Sequence, residues 1–382
     1  MATNMRRVST AGTIAAALIS IILSPCLTCS SALAAAGNSA LLNAQKEAES
    51  KGYVFLTTHD EIVSKAQQEG KLYLQSGFST GTIQATSEVF RKKYPFIDLQ
   101  VDPLEGSDVA ERLLSEVQAG VAKWDIIRTA IVVYSGYLPH LWKADLLGMS
   151  QQRVLDIPSQ TIDPKNRNVI ALGNRFVVVV YNKNLVPAGQ VPKSWEDMLK
   201  PEWKGKKFAT DIIPQQLAAL VPVWGLEKTL DYARSIAAQQ PIWVRGGNRP
   251  LVALSSGEIP LLLFVGTYSA AVRAQGKDPL GAVQYSILEP VPVRFVLEHA
   301  ILATAKSPHA ALLWLEFMAG AEAQKLIDQH EPLAASLYRQ GSAAEQALRG
   351  KKLSVVSWEH NEKMEQWVEK IVEALGFPRE TK

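Results

Sequence analysis

The chain has 382 residues, 47% of them apolar and 20% charged, with a formal net charge of +3. These values exclude a disordered chain and a membrane-embedded one, and they leave no basic surplus for a nucleic-acid partner. The length suits two domains around a large core.

Residues 1–36 differ from the rest. Arg6 and Arg7 precede an apolar run from Ala11 to Leu23, and Ala34 and Ala36 close a small-residue stretch. A charged start, a short apolar middle and an A-x-A end predict a secretory signal peptide and a periplasmic protein. Cleavage there removes Cys26 and Cys29, so the remaining chain has no disulfide and no cysteine metal site. It also removes Arg6 and Arg7, leaving 38 basic residues against 37 acidic ones.

A helical extension is expected over 37–69, with a start at Thr58-His59-Asp60-Glu61 and a stop at Gly70. The stretch Gly70 to Tyr94 organises the first module. Leu72 and Leu74 alternate as in a strand. Ser76-Gly77-Phe78-Ser79-Thr80-Gly81 forms a loop, and a helix comes next with Ile83, Val89, Phe90 and Tyr94 inward. A Ser/Thr/Gly loop feeding a helix N-terminus offers hydroxyls, free N–H groups and partial positive charge, which suits an anionic group. Thr80 or Thr82 can also simply cap that helix. The loop spells G-x-S-x-G as well, the pattern of a nucleophile elbow. That elbow requires several strands before it, whereas this loop comes after the first. The histidines at 59, 140, 299, 309, 330 and 360 sit in no local context that marks a general base.

Further strands are expected at Ile97–Val101 and Trp124–Ile127, alternating with a helix carrying Leu113, Leu114 and Val117, in a mostly parallel α/β sheet. Phe176 to Tyr181 is the most strand-like run and reads as one strand buried on both faces. A second module begins beyond it. Ser194 and Asp197 form a capping box opening a helix. Strands lie at Phe208–Ile213, Pro241–Arg245 and Ile259–Val265, and a helix at Arg249–Ser256. Leu288 to Val296, with Pro290 and Pro292, reads as an extended connector. Met364, Trp367, Val368, Ile371 and Leu375 share one face of a C-terminal helix.

This pattern predicts two α/β lobes joined by two crossings: lobe 1 from 70–175 and 297–345, lobe 2 from 176–296, and a C-terminal helix within 346–382. Ligands in α/β folds sit beyond the carboxyl ends of strands. The candidate ligand-binding residues are therefore Ser76, Gly77, Phe78, Ser79, Thr80, Gly106, Ser107, Thr129, Tyr181, Asp211, Arg245, Gly246, Thr267 and Tyr268. The set lacks a base–nucleophile pair, so it suits holding a ligand better than transforming it. No catalytic residue and no cofactor is expected.

The segments AQQEGKLYLQSGFS, FRKKYP, WDII, VVVVYNKNLVP, VPKSWEDMLKPEWKGK, SSGEIPLLL with TYSAAVRAQG, and LATAKSPHAALLWLEFMAGAEAQKLI run in this order across roughly residues 65 to 335. Together they resemble the extracellular solute-binding proteins of ABC importers, in the branch that includes the ferric-iron-binding proteins. The resemblance implies a type II periplasmic-binding-protein fold, a monomer that traps a small solute between two lobes, and delivery to a permease in the inner membrane. The iron branch holds its metal with adjacent tyrosines, often helped by a histidine and a carboxylate. Here the matching pair reads Thr267-Tyr268, and Phe78 stands where that histidine is expected. The main expectation is thus a small organic anion, held by hydroxyls, N–H groups and Arg245 or Arg128. The alternatives are ferric iron or an iron chelate on Tyr268 and Glu105, and a secreted serine hydrolase using Ser79.

Overall fold

The computed structural model describes residues 27–103, 109–129, 134–331 and 334–376. The chain divides into two units, 1–43 and 44–382. Helix α1 (Leu27–Ser50) runs unbroken through Ala34 and Ala36, and most of the expected signal peptide lies outside the described residues. No described helix is long and apolar enough to cross a membrane.

In the second unit, α2 (His59–Glu69) is capped by the Thr58 hydroxyl, which accepts from Glu61 N–H, and ends at Gly70 with a φ of 66°. Then come β1 (Lys71–Ser76), α3 (Thr80–Lys93), β2 (Asp98–Pro103), α4 (Val109–Gln118), β3 (Ile126–Arg128), α5 (Tyr134–Tyr137) and α6 (Leu146–Gln151). The hinge strands are β4 (Val169–Phe176) and β5 (Val179–Asn182). Next are β6 (Ala209–Asp211), α7 (Gln215–Ala218), α8 (Val221–Trp224), α9 (Leu226–Ala238), β7 (Ile242–Val244) and α10 (Asn248–Ser255). They lead to β8 (Leu261–Leu263), α11 (Tyr268–Lys277) and β9 (Val283–Ser286). Last are β10 (Val291–Ile301), α12 (Pro308–Ala319), α13 (Ala321–His330), α14 (Ala343–Leu348), β11 (Leu353–Val356) and α15 (Asn361–Ala374).

Two sheets result. The first has the order β11-β10-β3-β1-β2, with β4 also paired to β10; the second has the order β7-β6-β8-β5-β9. Both are mixed. In the first, β1 is parallel to β2 and β3, while β10 is antiparallel to β3 and β4. This is the expected two-lobe α/β architecture of type II binding proteins. Leu72 and Leu74 are fully buried, as their alternation requires. Helix α12 is mostly apolar and buried from Ala310 to Ala319; its Trp314 and Phe317 meet Phe90 with ring centroids 4.9 and 5.5 Å apart.

Four local expectations change. The run at 176–181 is two strands, because Phe176 ends β4 in the first sheet and Val179 begins β5 in the second. Between them Val177 N–H donates to Pro292 O and Val178 N–H to Gly266 O, so the chain changes sheets there. The connector at 288–296 is mostly β10, an eleven-residue strand: its prolines fall just before and near its start, where missing N–H groups cost little. The capping box forms reciprocally, Ser194 Oγ accepting from Asp197 N–H and Asp197 Oδ2 from Ser194 N–H. It opens only a four-residue 3-10 turn, since Pro201 comes at once. Finally, α3 buries Thr82, Thr86, Ser87 and Phe90, leaving Ile83 and Val89 half-exposed. The Thr86 hydroxyl donates to Thr82 O at 2.7 Å, which lets a hydroxyl face stay dry.

The tail adds a third passage between the sheets. Strand β11 is parallel to β10 in the first sheet, while Met364, Trp367, Ile371 and Leu375 of α15 pack into the core around Trp195 and Phe264 of the second.

Candidate functional site

The first lip of the site is the β1–α3 loop. Ser76 Oγ accepts from Phe78 N–H at 3.3 Å, and Ser79 Oγ from Thr82 N–H at 3.4 Å. Ser79, not Thr80 or Thr82, is therefore the cap of α3. Its hydroxyl also lies 3.1 Å from the Thr82 hydroxyl, so its hydrogen bonds serve the helix rather than an imidazole. Phe78 is buried and stacks on His299 with centroids 6.0 Å apart. Thr80 is exposed. The N–H of Ser79 donates to the carboxylate of Glu331, just past the end of α13. The anion expected at this loop is thus supplied from within the chain.

Beside the loop, Arg128 ends β3. A Cβ on Gly77 would stand 2.7 Å from Arg128 Cδ and 2.8 Å from Nη1, so only glycine lets the guanidinium lie there. Thr129 is fully buried; its N–H donates to Glu298 O at 3.0 Å and its hydroxyl has no partner among the described residues.

The floor is built by β4 and β10. Arg175 and Arg294 are in direct register across this antiparallel pair, and Arg128 is in register with His299 across β3 and β10. Arg175 keeps an open surface yet is walled by protein. Burial, then the Arg128 and Arg273 guanidiniums, push its pKa below the ordinary arginine value. Glu331 and Glu298 act in the opposite sense but do not outweigh burial and the neighbouring cations. Burial likewise lowers Arg294, whose Nη1 donates to Gln215 Oε1 on α7 at 2.8 Å. That bond joins the first sheet to the second lobe. Glu298 is buried near these cations. Burial raises its pKa, against the pull of Arg128, Arg294 and Arg175. His299 Nδ1 lies 2.7 Å from Leu297 O, and burial lowers its pKa to about 4, so the ring is neutral and donates from Nδ1. Leu297 itself has a φ of 62°, a left-handed backbone that bulky side chains avoid.

The second lip comes from β6 to β9. Asp211 accepts from Ile213 N–H at 2.9 Å and also from Gly246 N–H, so it fixes the turn that carries Arg245. Burial raises its pKa. Thr267 caps α11 and bridges to Val177 of the hinge. Gly266 is required before it, since a Cβ would approach Val180 Cγ2 to 2.4 Å. Tyr268 packs on Phe176 with centroids 4.5 Å apart, and its hydroxyl accepts from the Tyr285 hydroxyl at 3.3 Å. Burial and that neighbour hold the Tyr268 phenol above its ordinary range.

The structure therefore brings Ser76, Gly77, Phe78, Ser79 and Thr129 together on one side, and Asp211 with Arg245 and Gly246, and Thr267 with Tyr268, on the other. Tyr181 instead packs against the second lobe's core. Glu105, Gly106 and Ser107 lie outside the described residues. Sequence reasoning missed Arg175, Arg273, Glu298, Glu331 and Tyr285, and read Arg294 as a connector residue. A signal was present for some of them: Arg294 and Glu298 interrupt an otherwise apolar strand. Among the described residues no three His, Cys, Asp or Glu side chains cluster as a metal site. A separate hollow of about 620 Å³ lies at the opposite ends of β1 and β3, between Lys71, Asp98, Lys123 and Lys306.

The model of a bacterial extracellular solute-binding protein matches residues 122–363. The Fe(3+)-binding periplasmic protein of Serratia marcescens is 21% identical over 170 residues, 43% of this chain and 50% of that protein, so the match spans half the relative's length. Iron-bound HitA of Pseudomonas aeruginosa superposes with a TM-score of 0.60 at 19% identity, over 80% of this chain and 99% of that one. The Trichodesmium protein IdiA (FutA), in complex with iron and citrate ligands, gives a TM-score of 0.64 at 19% identity, over 81% and 100%. The Bordetella ferric binding protein gives 0.63 at 19%, over 81% and 100%. At these identities the likeness concerns the fold.

Proposed function

We propose, because this chain belongs to the family of bacterial extracellular solute-binding proteins, that it is the periplasmic binding component of an ABC importer. Its lobes close over a small organic anion and present it to a permease. One observation carries the choice of ligand: Arg175 faces Arg294 across β4 and β10, with Arg128 and Arg273 close enough to raise the local potential further. Glu298 and Glu331 lie within electrostatic range of these guanidiniums, and among the described residues neither closes an ion pair with them. A carboxylate accepts two parallel N–H bonds from one such fork, which gives both affinity and orientation. Because Arg273 belongs to the second lobe and the other three to the first, an anion shared among them draws the lobes together.

The chemistry is holding, not conversion. Ser79 is committed to the cap of α3, and no step needs it as a nucleophile. Thermal melts over a panel of mono-, di- and tricarboxylates, phosphate and sulfate test the reading. A ligand at one hundred times its dissociation constant adds about 2.7 kcal/mol to stability. A panel without any shift removes the anion reading.

A second reading is a ferric chelate of such an anion. It is supported by the paired hydroxyls of Tyr268 and Tyr285 and by the names of the relatives. Ferric iron prefers hard, anionic oxygen, so both phenols have to lose protons on binding. A ferric chelate whose ligands carry more than three negative charges is anionic overall and uses the same arginines.

A further inference from the structure

Glu331 reaches the first lip from another element of the fold. It caps α13 at its C-terminal end, with its N–H donating to Ile327 O at 2.8 Å. Its carboxylate reaches across to the N–H of Ser79, 252 positions earlier in the chain. The same carboxylate lies within electrostatic range of the Arg175 guanidinium. The approach is fixed by packing. His330 Nδ1 would stand 3.2 Å from a Cβ on Gly81, so the end of α13 is pressed against the first turn of α3. Only the half-exposed side chain of Glu331 needs to rotate for the position to become free.

We infer that Glu331 is an internal competitor: its carboxylate occupies the place that a carboxylate of the solute takes, and it must leave when the solute binds. This rests on the anion reading above and sharpens it to a class of ligand. A monocarboxylate that displaces Glu331 exchanges one carboxylate for another at Ser79 N–H and gains little. A di- or tricarboxylate exchanges one group there and brings its remaining charges to Arg128, Arg294 and Arg273. Displacement costs every carboxylate the same factor, so the arginines set the ratio between ligands and Glu331 sets the threshold that a singly charged carboxylate fails to clear. A threshold of this kind needs a protein carboxylate in the empty site, and the structure has one.

The experiment is calorimetric titration of the full chain with citrate, succinate and acetate, for the unaltered protein, Glu331→Gln and Arg175→Ala. The side-chain amide oxygen introduced by Glu331→Gln can still accept from Ser79 N–H, so the loop keeps its partner while the charge is lost. Expected is binding of citrate, succinate and acetate tightened by the same factor of about ten in Glu331→Gln, and loss of citrate binding in Arg175→Ala. If the unaltered protein binds citrate, Arg175→Ala abolishes it and Glu331→Gln leaves it unchanged, the competitor role is wrong and the anion reading stands. If Glu331→Gln binds more weakly, Glu331 contacts the ligand directly and the role is likewise wrong. If none of the three proteins binds any carboxylate of the series, both readings fall together.

Discussion

Arg175 and Arg294 stand directly opposite each other on antiparallel β4 and β10, the strands at which the chain passes between its sheets. Like charges in this position destabilise a sheet by roughly 0.2–1 kcal/mol. Arg175→Gln is therefore expected to raise the melting temperature of the ligand-free protein while weakening anion binding at least about tenfold. Melts with and without citrate check both halves. A variant that loses stability and keeps its affinity contradicts the role assigned to the pair.

This pair also shows where sequence reading stops. Alternating strands and helices, the cap at Thr58 and the face of α15 are local patterns, and they are legible along the chain. The loop at Ser76–Thr80 is legible as an anion-accepting turn. That its anion is Glu331 is not, because the contact depends on how α13 packs against α3. Likewise Arg175 stands beside Asn174, just ahead of the valine-rich run, and nothing local marks it. Its meaning emerges only when β10 sets Arg294 against it, a register fixed by residues more than a hundred positions away. Tyr181 shows the converse: its strand end is local, but the core it packs against is not.

His299 gives a dependence on pH whose sign can be worked out. The folded protein holds its pKa at about 4, against 6.5 in the unfolded chain. Between these values the unfolded chain binds a proton that the folded one does not, so stability falls as pH falls, by about 3 kcal/mol across the window. Glu298, with its raised pKa, acts in the opposite sense: its cost is relieved as pH drops toward the ordinary carboxylate range. Arg175 and Arg294 stay charged throughout. His299→Asn is expected to flatten the acid side of the stability profile measured by urea melts at pH 4 to 7. An unchanged profile assigns the acid sensitivity elsewhere.

Gly77→Ala separates positioning from folding. The new methyl meets the flexible end of Arg128, which can move aside. The melt should shift little, while anion affinity falls about tenfold. Full affinity in a well-folded variant shows that Arg128 does not touch the ligand.

Gly266→Ala behaves differently. Its methyl meets Val180 beside the hinge at 2.4 Å, in a close-packed interior, and overpacking of this kind costs about 1–3 kcal/mol. Denaturant unfolding reads the loss directly, and no loss means the β8–α11 turn is looser than described.

Tyr285→Phe decides the chelate reading. If ferric citrate binds through paired phenolates, the unaltered protein gains a visible charge-transfer band, and the variant loses much of it along with affinity. Equal affinity and colour in the variant remove Tyr285 from the ligand shell.

The passage of the tail from β11 to α15 has a practical corollary. Each end of that short link is anchored by its own partners, Val355 against Val293 in one sheet and Trp367 in the core of the other. Ser357, between them, is a seam where an inserted fluorescent reporter would be strained by any relative rotation of the halves. The same seam also explains why a truncation before it would do more than shorten the protein: it would strip one half of a helix and leave the other's edge strand without its anchor.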